Sequence, residues 1–220
     1  MPVDELEATG TTERRTKDGA AVMRAVAELR YRIVTGELGG GEQLRQERMA
    51  ELLNMSRVPI REALRVLADQ GLLEHRVHTG YFVRKRPADE LRQIYVMLAF
   101  LEGQVLADIA PADSATLERM RMINAEMAAY VESADWGPMV DLNRRFHFEI
   151  FRLTGQKVML AELERLWTIA APYIAQKYAI VEMREQAIAE HERMIEALAS
   201  GDRVELDRQF DEHRTQRRLR

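Results

Sequence analysis

Two sets of side chains in this sequence have the types and the spacing to do chemistry. The first is a row of arginines at every fourth position, Arg57, Arg61 and Arg65. Residues four apart share one face of a helix, so these guanidinium groups would form a line of donors to phosphates and base edges. An ordinary solvated helix face has the same pattern, so the surrounding elements must decide between the two interpretations.

Histidines form the second set. The chain has five, and His147, His191 and His213 lie in its second half. Asn143 stands four residues before His147, so on a helix both side chains can converge on one ion. Three neutral imidazoles and an oxygen ligand suit a divalent transition metal such as zinc or nickel. Each histidine can instead belong to the core or to its rim.

The composition limits which classes of protein are possible. The 220 residues are 46% hydrophobic, enough to bury a core, and no stretch reaches the roughly 20 apolar residues of a membrane span. Cysteine is absent, which excludes disulfide scaffolds, thiolate zinc fingers, iron–sulfur clusters and cysteine nucleophiles. The first residues lack the apolar core of a secretory signal, so a cytoplasmic protein without a membrane partner is expected.

Charge is distributed unevenly along the chain. Residues 20–86 contain 12 Lys and Arg against 8 Asp and Glu, whereas residues 87–220 contain 17 against 23. A basic front part joined to an acidic back part favours a polyanion-binding module attached to a second domain.

The arginine row is predicted to lie in a small N-terminal domain, residues 19–86. Residues 1–18 are polar and lack apolar periodicity, so we predict a flexible arm there. Helical spacing of apolar residues begins near Ala20 and stops at Gly36.

A helix-turn-helix is predicted next. Helical patterns cover about 46–53 and 57–70, and the segment between them holds Asn54, suited to a left-handed backbone, and Ser56, suited to an N-cap. Ser56 and the free N–H groups at that helix start can hold a phosphate.

A hairpin completes this domain. Residues 72–77 and 81–84 are predicted to be strands joined through His78, Thr79 and Gly80. Three helices followed by a hairpin predict a winged helix-turn-helix, in which the arginine row lies on the recognition helix and the hairpin tip reaches a minor groove.

The second domain, residues 87–220, is predicted to be all-helical. Its apolar residues keep a helical period, with interruptions at Pro111, Gly137, Gly155 and Gly201. Six helices follow, at about 88–109, 113–133, 136–153, 157–179, 182–199 and 203–217. The fold class is therefore mainly α, a winged helix-turn-helix followed by a six-helix bundle.

The recognition-helix region carries a family resemblance. Residues 20–84 resemble the DNA-binding domain of the GntR family of bacterial transcription regulators, most closely in LLNMSRVPIREALR (52–65), LADQGLL (67–73) and GYFV (80–83). The resemblance implies that Gly80 lies at the wing tip, and that four residues approach operator DNA: Ser56, Arg57, Val58 and Arg61.

One departure from the family pattern lies in the second helix. The family usually reads Glu-Arg-acidic after the leucine that matches Leu44, whereas this chain reads Arg45, Gln46, Glu47 and Arg48. Glu47 stands where an operator-contacting arginine is common. Either Arg45 or Arg48 makes that contact, or the operator differs.

The second domain carries another resemblance. Residues 88–216 resemble the helical FCD domain of FadR-type regulators, and the six helices are closer to the VanR-like group, through FLEG (100–103), NRRFH (143–147), EHERMIEAL (190–198) and His213. The resemblance implies one divalent ion inside the bundle, held by Asn143, His147, His191 and His213. Aspartate is commoner at the position of Asn143, and a neutral carbonyl is expected to bind the ion more weakly.

The same resemblance implies a small effector, often a carboxylate, bound in the bundle. Five side chains can supply its partners or can instead be surface and packing residues: Tyr95, Arg144, Arg145, Tyr173 and Tyr178. The family often has an arginine four positions before Glu102, where this chain has Leu98. A more apolar or differently anchored effector is therefore an alternative.

The function predicted from both domains is that of a homodimeric regulator of transcription, most often a repressor in this family. A short recognition helix covers few base pairs, so a two-fold dimer on a palindromic operator is expected. A metal-free helical ligand-sensing or interaction module on the same DNA-binding head is the alternative. A metal-dependent hydrolase is disfavoured, because no motif places a general base beside the histidines.

Overall fold

The computed structural model describes the backbone of residues 5–215 and the side chains of residues 19–214. It divides into two compact units, Met1–Arg86 and Pro87–Arg220. Nine α-helices and three short strands lie within the described backbone, and the sheet belongs entirely to the first unit. The predicted class, a winged helix-turn-helix followed by a helical bundle, is confirmed.

Three helices build the first unit, α1 (Glu5–Thr35), α2 (Gln46–Leu53) and α3 (Arg57–Asp69). The helical backbone of α1 begins at Glu5 and therefore includes most of residues 1–18, the segment predicted to be a flexible arm; residues 1–4 lie outside the described residues. Glu, Arg, Lys and Ala in this stretch are good helix formers, which favours a helical backbone ahead of the apolar pattern that begins near Ala20.

The sheet of the first unit has one strand more than predicted. β2 (Leu73–Arg76) and β3 (Gly80–Val83) form the expected hairpin, and β1 (Gln43–Leu44) pairs with β3 on its other side, in the order β1-β3-β2. Two residues are too few to show an alternating pattern, so no local pattern predicts β1. The pairing fixes the hairpin beside the start of α2.

The second unit contains the six predicted helices with shifted ends. They are α4 (Ala88–Ala107), α5 (Ser114–Ala128), α6 (Gly137–Phe151), α7 (Lys157–Ile174), α8 (Val181–Ser200) and α9 (Arg203–Thr215). A 3-10 turn over Ala175–Ala179 takes the place of the last predicted turn of α7. None of the described helices is both long and apolar enough to cross a membrane.

Buried aromatic side chains fill the centre of this bundle. Phe148 and Phe151 on α6 pack with Trp167 on α7, and Phe151 also packs with Phe210 on α9. These four rings and that of Phe146 are at most 3% exposed. α5 packs against both α6 and α8, and α8 packs against α9. Side chains that point inward from α6, α8 and α9 therefore meet in one place.

The C-terminal end of α8 offers a stability test. Gly201 ends the helix in the left-handed conformation at φ 72°, and a Cβ there would meet no atom within 4 Å. Gly201→Ala is therefore expected to lower the free energy of unfolding by about 1–2 kcal/mol through backbone strain alone. Gly103→Ala, in the middle of α4 and equally free of contacts, is the matched control. It is expected to raise that free energy by about 0.5–1 kcal/mol, and urea titrations that gave both variants the same sign would contradict the assignment.

Candidate nucleic-acid interface and metal centre

The turn between α2 and α3 has the geometry that a recognition helix needs. Asn54 ends α2 in the left-handed conformation at φ 50° and ψ 50°, and Ser56 takes an extended backbone as the N-cap of α3. The Ser56 hydroxyl makes no capping hydrogen bond within the described residues. An exposed hydroxyl and the first N–H groups of α3 together suit a phosphate oxygen.

α3 divides cleanly into a buried and an exposed face. Ile60, Ala63, Leu64 and Leu67 are each 0% exposed and anchor the helix against α1 and α2. The side chains of Arg57 and Arg61 are 70% and 59% exposed. Arg65 and Val58 are exposed as well, so the structure places all four predicted α3 contacts on the solvent side.

Arg48 on α2 and Arg45, the N-cap residue of α2, each contact an acidic or amide side chain. Arg48 forms an ion pair with Glu42 at 2.9 Å, and Arg45 donates a hydrogen bond to Gln43 at 3.3 Å. Glu47 forms an ion pair with Arg57 of the recognition helix at 3.2 Å. The residue that departs from the family pattern therefore holds a guanidinium group that is a candidate DNA contact.

The pair between Glu47 and Arg57 leads to a prediction. Glu47→Gln is expected to strengthen DNA binding about two- to fivefold, because it frees Arg57 and removes a charge that repels phosphates; exposed pairs are worth about 0.2–1 kcal/mol. Gel-shift titrations at two salt concentrations measure it, with Glu118→Gln on α5 as the control for the charge change alone. Weaker binding by Glu47→Gln would mean that Glu47 itself reads a base.

The wing is the short hairpin of β2 and β3, and β3 pairs with a strand on each of its sides. Gly80 begins β3 at φ 92° opposite Arg76, and His78 in the turn has φ 66°, so both take backbone conformations with positive φ. Gly80 is half-buried, and the exposed tip is formed by Val77, His78 and Thr79, one position earlier than predicted. On β2, the hydrogen bond from Arg76 lowers the pKa of the Glu74 carboxyl.

The predicted histidines converge inside the second unit. His147 on α6, His191 on α8 and His213 on α9 are each 0% exposed, and one ring nitrogen of each lies within 4.8 Å of the others. Nε2 of His147 is 3.2 Å from Nε2 of His213. Nitrogens that share one zinc ion lie roughly 3–4 Å apart, since each bond is about 2.1 Å long. The cluster therefore fits one divalent ion.

Asn143 also fits the predicted ligand set. It lies one turn before His147 on α6 and is 1% exposed. Its Oδ1 accepts no hydrogen bond from the described residues. A buried amide oxygen without a donor costs free energy that a metal ion would recover.

Two polar side chains lie within hydrogen-bond distance of histidine ring nitrogens, and sequence reasoning missed both. Asn124 on α5 places Oδ1 3.2 Å from Nδ1 of His191, and Glu190 on α8 places Oε2 2.6 Å from Nδ1 of His213. Glu190 precedes His191 in the sequence, which was a weak signal, although it serves the histidine of another helix. Nothing in the sequence pointed to Asn124, which is 67 residues from His191.

The predicted effector residues are spread over three helices and the 3-10 turn. Arg144 donates a hydrogen bond to Thr168 on α7 at 3.0 Å and lies over the Phe148 ring, while Arg145 is exposed and forms an ion pair with Glu126. Tyr95 and Tyr173 are half-buried on α4 and α7. Tyr178 is 0% exposed in the 3-10 turn.

The buried face of α4 carries a carboxylate that sequence reasoning did not use. Glu102 is 0% exposed, and its Oε1 accepts a hydrogen bond from Trp167 Nε1 at 3.0 Å. The Trp167 ring lies 5.1 Å from the His147 ring, which connects Glu102 to the histidine cluster. Leu98, one turn earlier, is 2% exposed, so an apolar side chain occupies the place of the usual arginine.

Comparison with known protein families agrees with both units. Residues 21–83 match the family described as bacterial regulatory proteins, gntR family, and residues 93–216 match the FCD domain. This chain belongs to the GntR family and carries an FCD domain. It is therefore a transcription regulator. The regulators it resembles are not enzymes, in agreement with the sequence prediction.

Two curated relatives match this FCD regulator over most of its length. It is 24% identical over 196 residues to the HTH-type transcriptional regulator McbR of Escherichia coli (strain K12), spanning 86% of this chain and 87% of McbR. It is 27% identical to the probable D-xylose utilization operon transcriptional repressor of Paenarthrobacter nicotinovorans, over 77% of this chain and 75% of the relative.

Solved structures share its fold. E. coli McbR/YncC matches with a TM-score of 0.70 and 21% identity, covering 89% of this chain and 94% of that one. A putative GntR transcriptional regulator from Rhodococcus sp. RHA1 matches with a TM-score of 0.71 and 19% identity, covering 90% and 95%.

Proposed function

We propose that this GntR regulator binds a palindromic operator as a homodimer and acts as a repressor in the bacterial cytoplasm, and that a divalent metal and a small metabolite in its FCD domain control operator binding. The observation that carries the metal part is the convergence of three fully buried histidines, one turn of α6 away from a buried Asn143 whose Oδ1 accepts no hydrogen bond from the part of the chain that the structure describes. Neutral imidazoles around one point leave zinc or nickel as the expected ion.

The DNA part of the proposal follows from the exposed face of α3. Arg57, Arg61 and Arg65 would neutralise phosphates or read guanines, Ser56 would hold a phosphate at the helix start, and Val58 would contact a base. The contact along the DNA backbone would be extended by Arg45, Arg48 and the wing from Val77 to Gly80. Two half-sites about one helical turn apart, roughly 34–36 Å, match a two-fold dimer.

The effector part of the proposal is a small carboxylate that reaches the metal. With Asn143 in place of an acidic ligand, a divalent ion would keep more positive charge and so attract an anion. Tyr95, Arg144 and Tyr173 are the candidate partners for the rest of the molecule. The buried Leu98 favours an effector with an apolar part on that side of the bundle.

The experiment that tests the proposal combines metal analysis with operator binding. Protein purified without a nickel column or a chelator is expected to contain about one transition-metal ion per chain. Gel shifts with the promoter DNA of its own gene, in the presence of zinc chloride or of EDTA, are then repeated with a panel of small carboxylates. Absence of metal, together with carboxylate responses that zinc does not alter, would contradict the metal part and favour metal-free sensing.

A further inference from the structure

We infer that Asn124 and Glu190 are positioning residues that fix the tautomers of His191 and His213, so that both rings direct an Nε2 lone pair at the same point. The inference rests on the proposed metal site and names residues outside the predicted ligand set. Each residue contacts a histidine Nδ1, and each is held by further hydrogen bonds that determine which atom it offers.

The orientation of the Asn124 amide decides the tautomer of His191. Asn124 Nδ2 lies 3.2 Å from the carbonyl oxygen of Ile188 and 3.1 Å from Oε2 of Glu192. Both of these oxygens only accept hydrogen bonds, so the atom between them must be the amide nitrogen. Oδ1 therefore faces His191, and Nδ1 of His191 must carry the hydrogen. In a neutral ring Nε2 is then the atom with the lone pair.

Glu190 fixes the tautomer of His213 in the same way, with a carboxylate oxygen in place of an amide oxygen. Gln186 Nε2 donates to Oε1 of Glu190 at 3.0 Å, which leaves Oε2 to accept from His213 Nδ1 at 2.6 Å. Glu190 is 1% exposed, so this contact is shielded from water. A carboxylate that accepts from Nδ1 orients the ring and makes Nε2 more basic, which strengthens its bond to a metal.

His147 is expected to have the opposite tautomer in the metal-free protein. Its Nε2 lies 3.2 Å from Nε2 of His213, and two lone pairs at that distance would repel each other. Because the hydrogen of His213 is on Nδ1, the hydrogen between the two Nε2 atoms belongs to His147. His147 is therefore the ring that must rearrange when an ion enters, whereas His191 and His213 are already in the binding form.

The first test needs neither a variant nor a metal. Long-range proton–nitrogen correlation spectra of metal-free protein with labelled histidine, recorded at pH 8, distinguish Nδ1–H from Nε2–H rings. We expect Nδ1–H for His191 and His213 and Nε2–H for His147. An Nε2–H ring at His191 or at His213 would overturn the inference.

The second test measures zinc affinity by competition with a chromophoric chelator. Glu190→Gln is expected to weaken zinc binding about 10–100-fold, the usual effect of losing such a partner, and to shift the His213 ring toward a mixture of tautomers. Glu196→Gln is the matched control, because it removes the same charge from the exposed side of α8 at a residue outside the hydrogen bonds that orient Asn124 and Glu190. It is expected to stay within about twofold of the wild type.

The two readouts separate failure of this inference from failure of the proposed function. Zinc affinity of Glu190→Gln within twofold of the wild type would contradict the role of Glu190. A wild-type protein that binds no zinc would contradict the proposed metal function, whereas its ring tautomers would still show whether Asn124 and Glu190 fix the histidines. If Glu190→Gln fails to fold, as circular dichroism would show, the wild-type spectra alone decide.

Discussion

Replacing His191 with alanine is expected to reduce the metal content from about one ion per chain to nearly none. The imidazole is one of four proposed ligands, and structural zinc sites bind with apparent free energies of roughly 10–16 kcal/mol that are shared among few bonds. Loss of one of these bonds also leaves Asn124 Oδ1 without its ring partner. Elemental analysis of protein purified without added metal measures the result directly.

The substitution also removes packing, and the design must separate the two effects. The His191 ring stacks on Phe146 with centroids 3.8 Å apart and an angle of 8°, so alanine leaves a cavity that is expected to cost about 2–5 kcal/mol. His191→Leu fills most of that space without supplying a ligand, and His78→Asn removes an exposed histidine from the wing. Metal loss in both His191 variants and not in His78→Asn is the expected pattern. Retention of the ion in folded His191→Leu would contradict the site.

Replacing Arg61 with alanine is expected to weaken operator binding by about 1–3 kcal/mol, roughly 5- to 150-fold. Arg61 lies in the middle of the exposed face of α3, and its only close acidic partner among the described residues is its chain neighbour Glu62, at 3.2 Å. That exposed pair exchanges easily for a phosphate or a guanine. Gel-shift titrations with the operator and with unrelated DNA measure the change.

Salt dependence shows which kind of contact Arg61 makes. A phosphate contact predicts equal losses on operator and unrelated DNA and a salt slope smaller by about one, whereas a guanine contact predicts a loss confined to the operator. Arg121→Ala on α5, which removes an exposed arginine of the FCD domain paired with Glu118, is the control. Operator affinity of Arg61→Ala equal to that of Arg121→Ala would show that α3 is not the recognition helix.

The sequence predictions succeed for features that depend on residues close together in the chain. The α3 boundaries, the Asn54 turn and the exposed arginine row depend on residues within about one helical turn, so the local pattern contains them. The start of α1 and the strand β1 do not. The helical backbone of α1 begins before the apolar pattern does, and β1 exists only because β3 passes beside it.

The effector residues show a similar limit. Spacing placed Arg144 and Arg145 beside the proposed ligand Asn143 in the sequence, yet one contacts Thr168 on α7 and the other Glu126 on α5. Neighbours along a helix point about 100° apart, so adjacency in sequence says little about a shared cavity. Glu102 shows the converse, because it is far from His147 in the sequence and yet contacts Trp167, whose ring packs against His147.

The sequence by itself determined the helices, the winged helix-turn-helix and the family, because these depend on local periodicity and on motifs of a few residues. The sequence also identified three candidate histidine ligands, and the family resemblance assigned them to one metal site. Only the tertiary structure decided that rings on α6, α8 and α9 meet at one buried point and that Asn124 and Glu190 contact them. The physical reason is that the rotation of each helix about its axis, which selects the inward side chains, is set by packing against its neighbours.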